Sequence, residues 1–227
     1  MIHPLGHPTI FQDRCDAGRR LAQVLVPYRD ASPVVLALPR GGVPVGFEVA
    51  LMLSAPLDLV LVRKIGAPLN PEFGIGAVVD GHSPVTIMDE ELVRRIGVSE
   101  DYIAQTTKAE LEEIERRRAL YLQGRPPVEI EGRTLIVVDD GIATGSTMRV
   151  ALHALRKARP ERLVMAVPVA PPDTLERMRG ECDEVVCLAM PEDFSAVGTF
   201  YADFRQLEDG DVIDLLDRAA RLFIPGS

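Results

Sequence analysis

The stretch Arg133-Thr-Leu-Ile-Val-Val-Asp139-Asp140-Gly-Ile-Ala-Thr144-Gly145-Ser146-Thr147 decides how the rest of the chain is read. Residues 135–138 are apolar and mostly β-branched, the pattern of a strand buried on both faces. The run stops abruptly at two adjacent carboxylates. Residues 141–147 then supply small and hydroxyl side chains, and Met148, Ala151, Leu152 and Leu155 follow at helical spacing. The order is strand, acidic pair, small-residue loop, helix. A helix start preceded by small residues offers backbone N–H groups and the positive end of the helix dipole to a phosphate. The hydroxyls of Thr144, Ser146 and Thr147 can donate to the same anion. The two acids would repel it, so they suit sugar hydroxyls or a hydrated Mg²⁺. The plainer alternative is an ordinary strand-to-helix turn with an aspartate cap. There is no Gly-Lys-Ser/Thr of a Walker A loop and no Gly-x-Gly-x-x-Gly fingerprint.

Two other stretches end in ligand-like residues. Val34-Val-Leu-Ala-Leu38 reads as a first core strand running into Pro39-Arg40-Gly41-Gly42, with a helix from residue 43 to 53. Its glycines let N–H groups approach a ligand closely, and Arg40 adds a permanent forked cation. A tight turn with an exposed arginine is the alternative. Asp58-Leu-Val-Leu-Val62 reads as a second core strand delivering Arg63 and Lys64 at its end, where the cations need an anion or solvent. Three strands thus end in Arg40, Arg63-Lys64 and Asp139-Asp140. Ligands of open α/β sheets bind off the carboxyl ends of strands, so the convergence points to a pyrophosphate-plus-sugar site.

These motifs resemble those of type I phosphoribosyltransferases, whose substrate is phosphoribosyl diphosphate (PRPP). The resemblance spans roughly residues 34–167 and is most specific over 139–147. It implies that Asp139 and Asp140 bind the ribose hydroxyls and meet a Mg²⁺ cofactor through those hydroxyls or through water. It implies that Ala143, Thr144, Gly145, Ser146 and Thr147 wrap the 5′-phosphate, and that Arg40, Gly41, Gly42, Arg63 and Lys64 take the pyrophosphate. Gly141 departs from the family, which has an aliphatic residue there. Alanine at 143 is similar to adenine-using members; hypoxanthine- and guanine-using members carry an acid. Glu72-Phe73-Gly74 resembles an acidic-aromatic-glycine triplet of the adenine enzymes, with Glu72 as general acid or base. It follows Lys64 more closely than in those enzymes, and a surface acid is the alternative. Family members bind the acceptor with a hood, for which the aromatic segment 194–204, with Phe200 and Tyr201, is the candidate; core packing or a dimer contact is the alternative.

The remaining sequence is connective. Phe11, Cys15, Gly18, Ala22 and Leu25 share one helical face. The turn formers of residues 66–74 suggest a mobile loop. Residues 78–80 and 84–88 suggest a hairpin, and 90–96 a short helix. A long charged helix follows Ser99 to about residue 123. Strands are expected at 162–167 and 184–188, and a closing helix at 212–222. The alternation of strands and helices predicts a parallel, Rossmann-like α/β fold. The expected organisation is one phosphoribosyltransferase domain over 1–227: a core at about 33–190, an inserted hairpin and helices at about 75–124, and a small C-terminal hood at about 191–223.

A formal net charge of −9 argues against a nucleic-acid surface, and no apolar run suits a membrane span. Cys15, Cys182 and Cys187 form no Cys-x-x-Cys and are expected as buried thiols of a reducing, cytoplasmic compartment. His3 and His7 have metal-like spacing but no partner cysteine. The function expected is a glycosyltransferase reaction: Mg²⁺-dependent transfer of the phosphoribosyl group of PRPP to a small nitrogenous acceptor, with a nucleobase as the candidate, and release of pyrophosphate. A homodimer is expected, without nucleic-acid or membrane partners. The alternatives are a non-catalytic PRPP or nucleotide sensor and a hydrolase of phosphoribosyl compounds.

Overall fold

The structure is a computed structural model that describes residues 11–80 and 84–222, without the Glu72 side chain. The chain opens with α1 (Arg14–Leu25), whose cap Asp13 accepts the Asp16 N–H at 2.7 Å. Strand β1 (Pro33–Ala37), helix α2 (Gly42–Leu53) and strand β2 (Leu57–Leu59) follow. Next come β3 (Val62–Ala67), β4 (Asn70–Val79), β5 (Val85–Met88), α3 (Glu90–Ile96) and α4 (Glu100–Leu122). The chain then continues through β6 (Thr134–Val138), α5 (Ser146–Lys157), β7 (Arg162–Val169), α6 (Pro172–Met178), β8 (Glu184–Ala189) and α7 (Asp209–Leu222).

Two compact units result, one of residues 1–59 and 125–227, the other of residues 60–124. The first is built on a parallel sheet in the order β2-β1-β6-β7-β8. All five residues of β1 and of β6 are buried, as their unbroken apolar runs require. Val35, Ile136, Val138, Val164, Ala166, Val186 and Leu188 belong to one apolar cluster with Leu21, Leu25, Val45, Val49 and Leu53 of α1 and α2. On the same α2 lies α7, and α5 packs on β7. The sheet is therefore the Rossmann-like α/β core expected from the sequence.

The second unit is an antiparallel sheet, β3-β4-β5, with α3 and α4. Here two expectations need correction. Residues 58–62 are not one core strand: β2 ends at Leu59, and β3 begins at Val62 in the other sheet. Leu61 in the break is held by Asp80, whose Oδ1 accepts the Leu61 N–H at 2.7 Å and whose N–H donates to the Leu61 carbonyl at 3.0 Å. Arg63 and Lys64 thus lie within β3, not at the end of a core strand. Nor are residues 66–74 a loop. They turn tightly from β3 into β4, because a Cβ on Gly66 would lie 2.2 Å from the Pro71 carbonyl oxygen; only glycine permits that approach. The hairpin of β4 with β5 pairs Val79 with Val85, and its turn lies outside the described residues. Helix α4 starts where expected, with the Ser99 hydroxyl accepting the Tyr102 N–H at 3.3 Å. Among the described residues no helix is long and apolar enough to cross a membrane.

Candidate functional site

The neighbouring strands β1 and β6 are in parallel register up to Ala37 opposite Val138. Their carboxyl ends therefore release the loops at 38–41 and 139–145 side by side. The Leu38 N–H donates to the Val138 carbonyl at 2.9 Å and ties the two exits together. Gly41 is set by this closeness: a Cβ there would sit 2.1 Å from Asp140 Oδ2. The Pro39–Arg40 peptide is cis. The partly exposed Arg40 guanidinium reaches Asp209 Oδ1, at the start of α7, at 3.7 Å. The structure thus packs Gly41 against Asp140 and Gly42 against Asp139, while the Arg40 side chain of the same turn is directed to Asp209.

The acidic pair is held from several sides. Asp139 Oδ1 accepts the Asp140 N–H at 2.9 Å. Asp140, buried, accepts from Arg14 Nε at 2.7 Å. The Tyr201 hydroxyl donates to the Asp140 carbonyl. Burial raises the proton affinity of both carboxyls; the charge of Asp140 raises that of Asp139 further, whereas the Arg14 guanidinium pulls that of Asp140 back. Burial, then the charge of Asp140, also pushes the Tyr201 hydroxyl well above its ordinary range, so it stays a protonated donor. Replacing Tyr201 with Phe deletes that donor and leaves a buried carbonyl with one acceptor site unmet. We expect a loss of about 0.5–1.5 kcal/mol, measured by denaturant unfolding; an unchanged midpoint contradicts the bond.

The loop after the acids runs into α5. The Ile142 N–H donates to the Val169 carbonyl at 3.1 Å, and the Thr174 hydroxyl donates to the Ala143 carbonyl at 2.7 Å. Gly145, left-handed at φ +74°, caps the helix. Thr144 and Ser146 are exposed, with their hydroxyls 2.9 Å apart, and Thr147 is half-buried. The first turn of α5 has no side-chain cap. Exposed hydroxyls and free N–H groups at an uncapped helix start are able to donate to an anion. Among the described residues no three His, Cys, Asp or Glu side chains converge to hold a metal. Two adjacent carboxylates suit an ion that keeps its waters and takes further oxygens from a substrate, as Mg²⁺ does.

The other expected site residues have surroundings of their own. Arg63, in β3 of the second unit, is engaged by Glu110 of α4 at 2.7 Å, and Lys64 beside it is exposed. Glu72 falls within β4, but its side chain lies outside the described residues, as do His3 and His7. Phe200 and Tyr201 are buried, at 8% and 6% exposure, with Phe194 stacked on Phe200 at 5.4 Å and Phe11 tilted on Tyr201 at 5.3 Å. Cys182 and Cys187 are buried free thiols, which burial pushes up to about 11 and about 12. Cys15, also free, is half-exposed, which corrects its expected burial. Arg14 was not legible as a site residue: in sequence it is one of several arginines on an amphipathic helix, 126 positions from Asp140.

Comparison with known proteins identifies the family. A family model described as the phosphoribosyl transferase domain matches residues 10–205. A Mycobacterium tuberculosis H37Rv protein named "Putative phosphoribosyl transferase Rv0571c" is 44% identical over 214 residues, covering 94% of this chain and 48% of its own length. The chain spans about half the length of the curated relatives it matches. The crystal structure of TT1426 from Thermus thermophilus is 43% identical, with a TM-score of 0.79 over 91% of this chain and 97% of that one. AQ2163 from Aquifex aeolicus shares the fold at 14% identity, with a TM-score of 0.52 over 95% of this chain and 97% of that one.

Proposed function

This chain belongs to the phosphoribosyl transferase family, and from that premise we propose that it transfers the phosphoribosyl group of PRPP to a small nitrogenous acceptor, releasing pyrophosphate. The observation that carries the reading is the packing of the Gly41-Gly42 turn against Asp139 and Asp140, because it puts a polar backbone next to a pair of hydroxyl acceptors, with Arg40 the adjoining residue of the same turn. Asp139 and Asp140 take the ribose hydroxyls. Their negative charge favours the cationic character that grows at the anomeric carbon as the bond to pyrophosphate breaks. Thr144, Ser146, Thr147 and the first N–H groups of α5 hold the 5′-phosphate, with Ala143 and Gly145 shaping the loop. Arg40 and the Gly41 N–H meet the leaving pyrophosphate, and the family resemblance assigns Arg63 and Lys64 to the same charge. The residues that would hold Mg²⁺ are Asp139 and Asp140, through water or the ribose hydroxyls; when bound, the ion supplies neutralisation of pyrophosphate charge. The same reading carries a single phosphoribosyltransferase domain, a homodimer and a cytoplasmic location.

Lys64→Ala should lower kcat about 10- to 100-fold while changing PRPP affinity less, because the lysine meets charge that grows in the transition state. Single-turnover kinetics with direct PRPP titration checks this; equal kcat removes Lys64 from the mechanism.

The acceptor is argued from Ala143, which has no proton to give or take. A 6-oxopurine handled through an acid at that position is therefore disfavoured, and adenine is the first base to try, with Glu72 as the candidate acid or base. The test is pyrophosphate release from PRPP and Mg²⁺, with and without a panel of free bases. Release that requires a base other than guanine or hypoxanthine supports the reading. Efficient turnover of guanine or hypoxanthine overturns the argument from Ala143. Binding without release indicates a sensor, and release without a base indicates a hydrolase.

A further inference from the structure

We propose that Arg14 is a positioning residue for sugar recognition: clamped between Asp140, the Arg205 carbonyl and the Phe204 ring, it holds the Asp140 carboxylate in the orientation that receives the ribose hydroxyls. The proposal rests on the assignment of the ribose to Asp139 and Asp140. Three contacts fix the guanidinium. Its Nε donates to Asp140 Oδ2 at 2.7 Å, one terminal nitrogen donates to the Arg205 carbonyl at 2.9 Å, and its central carbon lies 3.8 Å from the centre of the Phe204 ring. The Arg14 and Asp140 side chains are only 11% and 12% exposed. That separates them from surface pairs such as Lys108–Glu112, at 80% and 68%, which solvent and salt weaken.

The chemistry follows from the crowding around Asp140. Its carboxylate lies beside a second carboxylate, Asp139, and against the Gly41 backbone. Without a cation, repulsion from Asp139 would turn it away and let its two oxygens exchange places. Arg14 engages Oδ2 and so leaves Oδ1 as the acceptor for a ligand hydroxyl. The anchor is itself rigid, because the planar fork cannot rotate without losing the Arg205 carbonyl and the Phe204 face. A carboxylate ordered before the sugar arrives loses less freedom on binding.

A plain strut between α1 and residues 203–205 would make the same contacts, but it has a different consequence. Losing a strut weakens every ligand alike. Losing a positioning residue weakens the distinction between sugars that differ by one hydroxyl.

The test compares the dissociation constants of ribose 5-phosphate and 2-deoxyribose 5-phosphate by calorimetry, for the wild-type chain, Arg14→Gln and Phe204→Leu. Arg14 lines a cavity of about 550 Å³ together with Cys15 and Pro44, so the shorter glutamine leaves no sealed void. The wild-type chain is expected to prefer the ribose sugar about tenfold, the worth of one hydrogen bond to a charged acceptor. In Arg14→Gln that preference should fall to about twofold while affinity for the deoxy sugar stays within about threefold. Phe204→Leu, which keeps the charge but removes the ring face, should fall between the two. Full preference retained in Arg14→Gln, or an equal loss for both sugars, overturns the proposal. If Arg14→Gln does not fold, an unchanged preference in Phe204→Leu overturns it. A wild-type chain with no preference removes the ribose assignment itself, and the role of Arg14 with it.

Discussion

Asp139→Asn should bind PRPP about 10- to 100-fold more weakly and yet melt at a higher temperature than the wild-type chain at neutral pH. The first effect follows from placing an amide where the proposed ribose contact calls for a charged acceptor. The second follows from what the fold does to this carboxyl. Burial first, and the neighbouring Asp140 charge next, raise its proton affinity above that of an unfolded aspartate. A carboxyl raised in this way contributes stability in full below the ordinary aspartate value, about 3.9. It loses that contribution as pH rises through the higher folded value. At neutral pH the Asp139 carboxyl therefore costs stability, and a neutral amide removes the cost. The asparagine Oδ1 can still accept the Asp140 N–H, which Asp139 holds at 2.9 Å, so the local turn is kept. The gain in melting temperature should shrink as pH falls towards about 4. A variant that loses both stability and PRPP affinity would mean that the acid is a structural member and that its burial is not a cost borne for ligand binding.

Gly41→Ala is expected to damage both fold and site through one methyl group. The backbone at Gly41 is helical, φ −59°, so alanine is conformationally acceptable there. The obstruction is steric: the new Cβ would meet Asp140 Oδ2 at 2.1 Å and its Cγ at 2.5 Å. Relieving that overlap means moving the carboxylate off Arg14 or the turn off β6. Overpacking of this kind costs about 1–3 kcal/mol, or about 2–4 °C of melting temperature per kcal/mol for a chain of this size. PRPP affinity should fall with it, since the Arg40 loop and the acid move apart. Combining Gly41→Ala with Asp140→Ala removes the obstruction, so the double variant should be more stable than the sum of the two single losses. Additive losses, or a Gly41→Ala chain that melts and binds as the wild type does, would contradict the close packing of these two loops.

What could be read in advance was local. The motif at 134–147 was legible because a buried parallel strand, a strand-end acid pair and a helix start each leave their own residue pattern, and here they adjoin. Strand β1 was displaced by a single residue, and α3 and the Ser99 cap fell where their patterns put them. What could not be read depends on distant partners. The break at Leu61 exists because Asp80, 19 positions on, satisfies its backbone, and nothing within residues 58–62 announces it. The turn-forming composition of 66–74 resembles a loop, yet it makes a hairpin because Gly66 lets Pro71 approach. Phe200 and Tyr201 stood out by type. Their burial depends on Phe11 and Phe194, which reach them only in the folded chain. Arg14 gave no signal, since what distinguishes it is a partner at the far end of the sequence.

The most direct test of the proposed chemistry is a crystal structure of the chain with PRPP and Mg²⁺. Ribose hydroxyls are expected within hydrogen-bonding distance of Asp139 and Asp140, the 5′-phosphate over residues 143–147 and the pyrophosphate against Arg40 and Gly41. PRPP bound elsewhere, or bound here with its ribose turned away from both acids, would contradict the assignment.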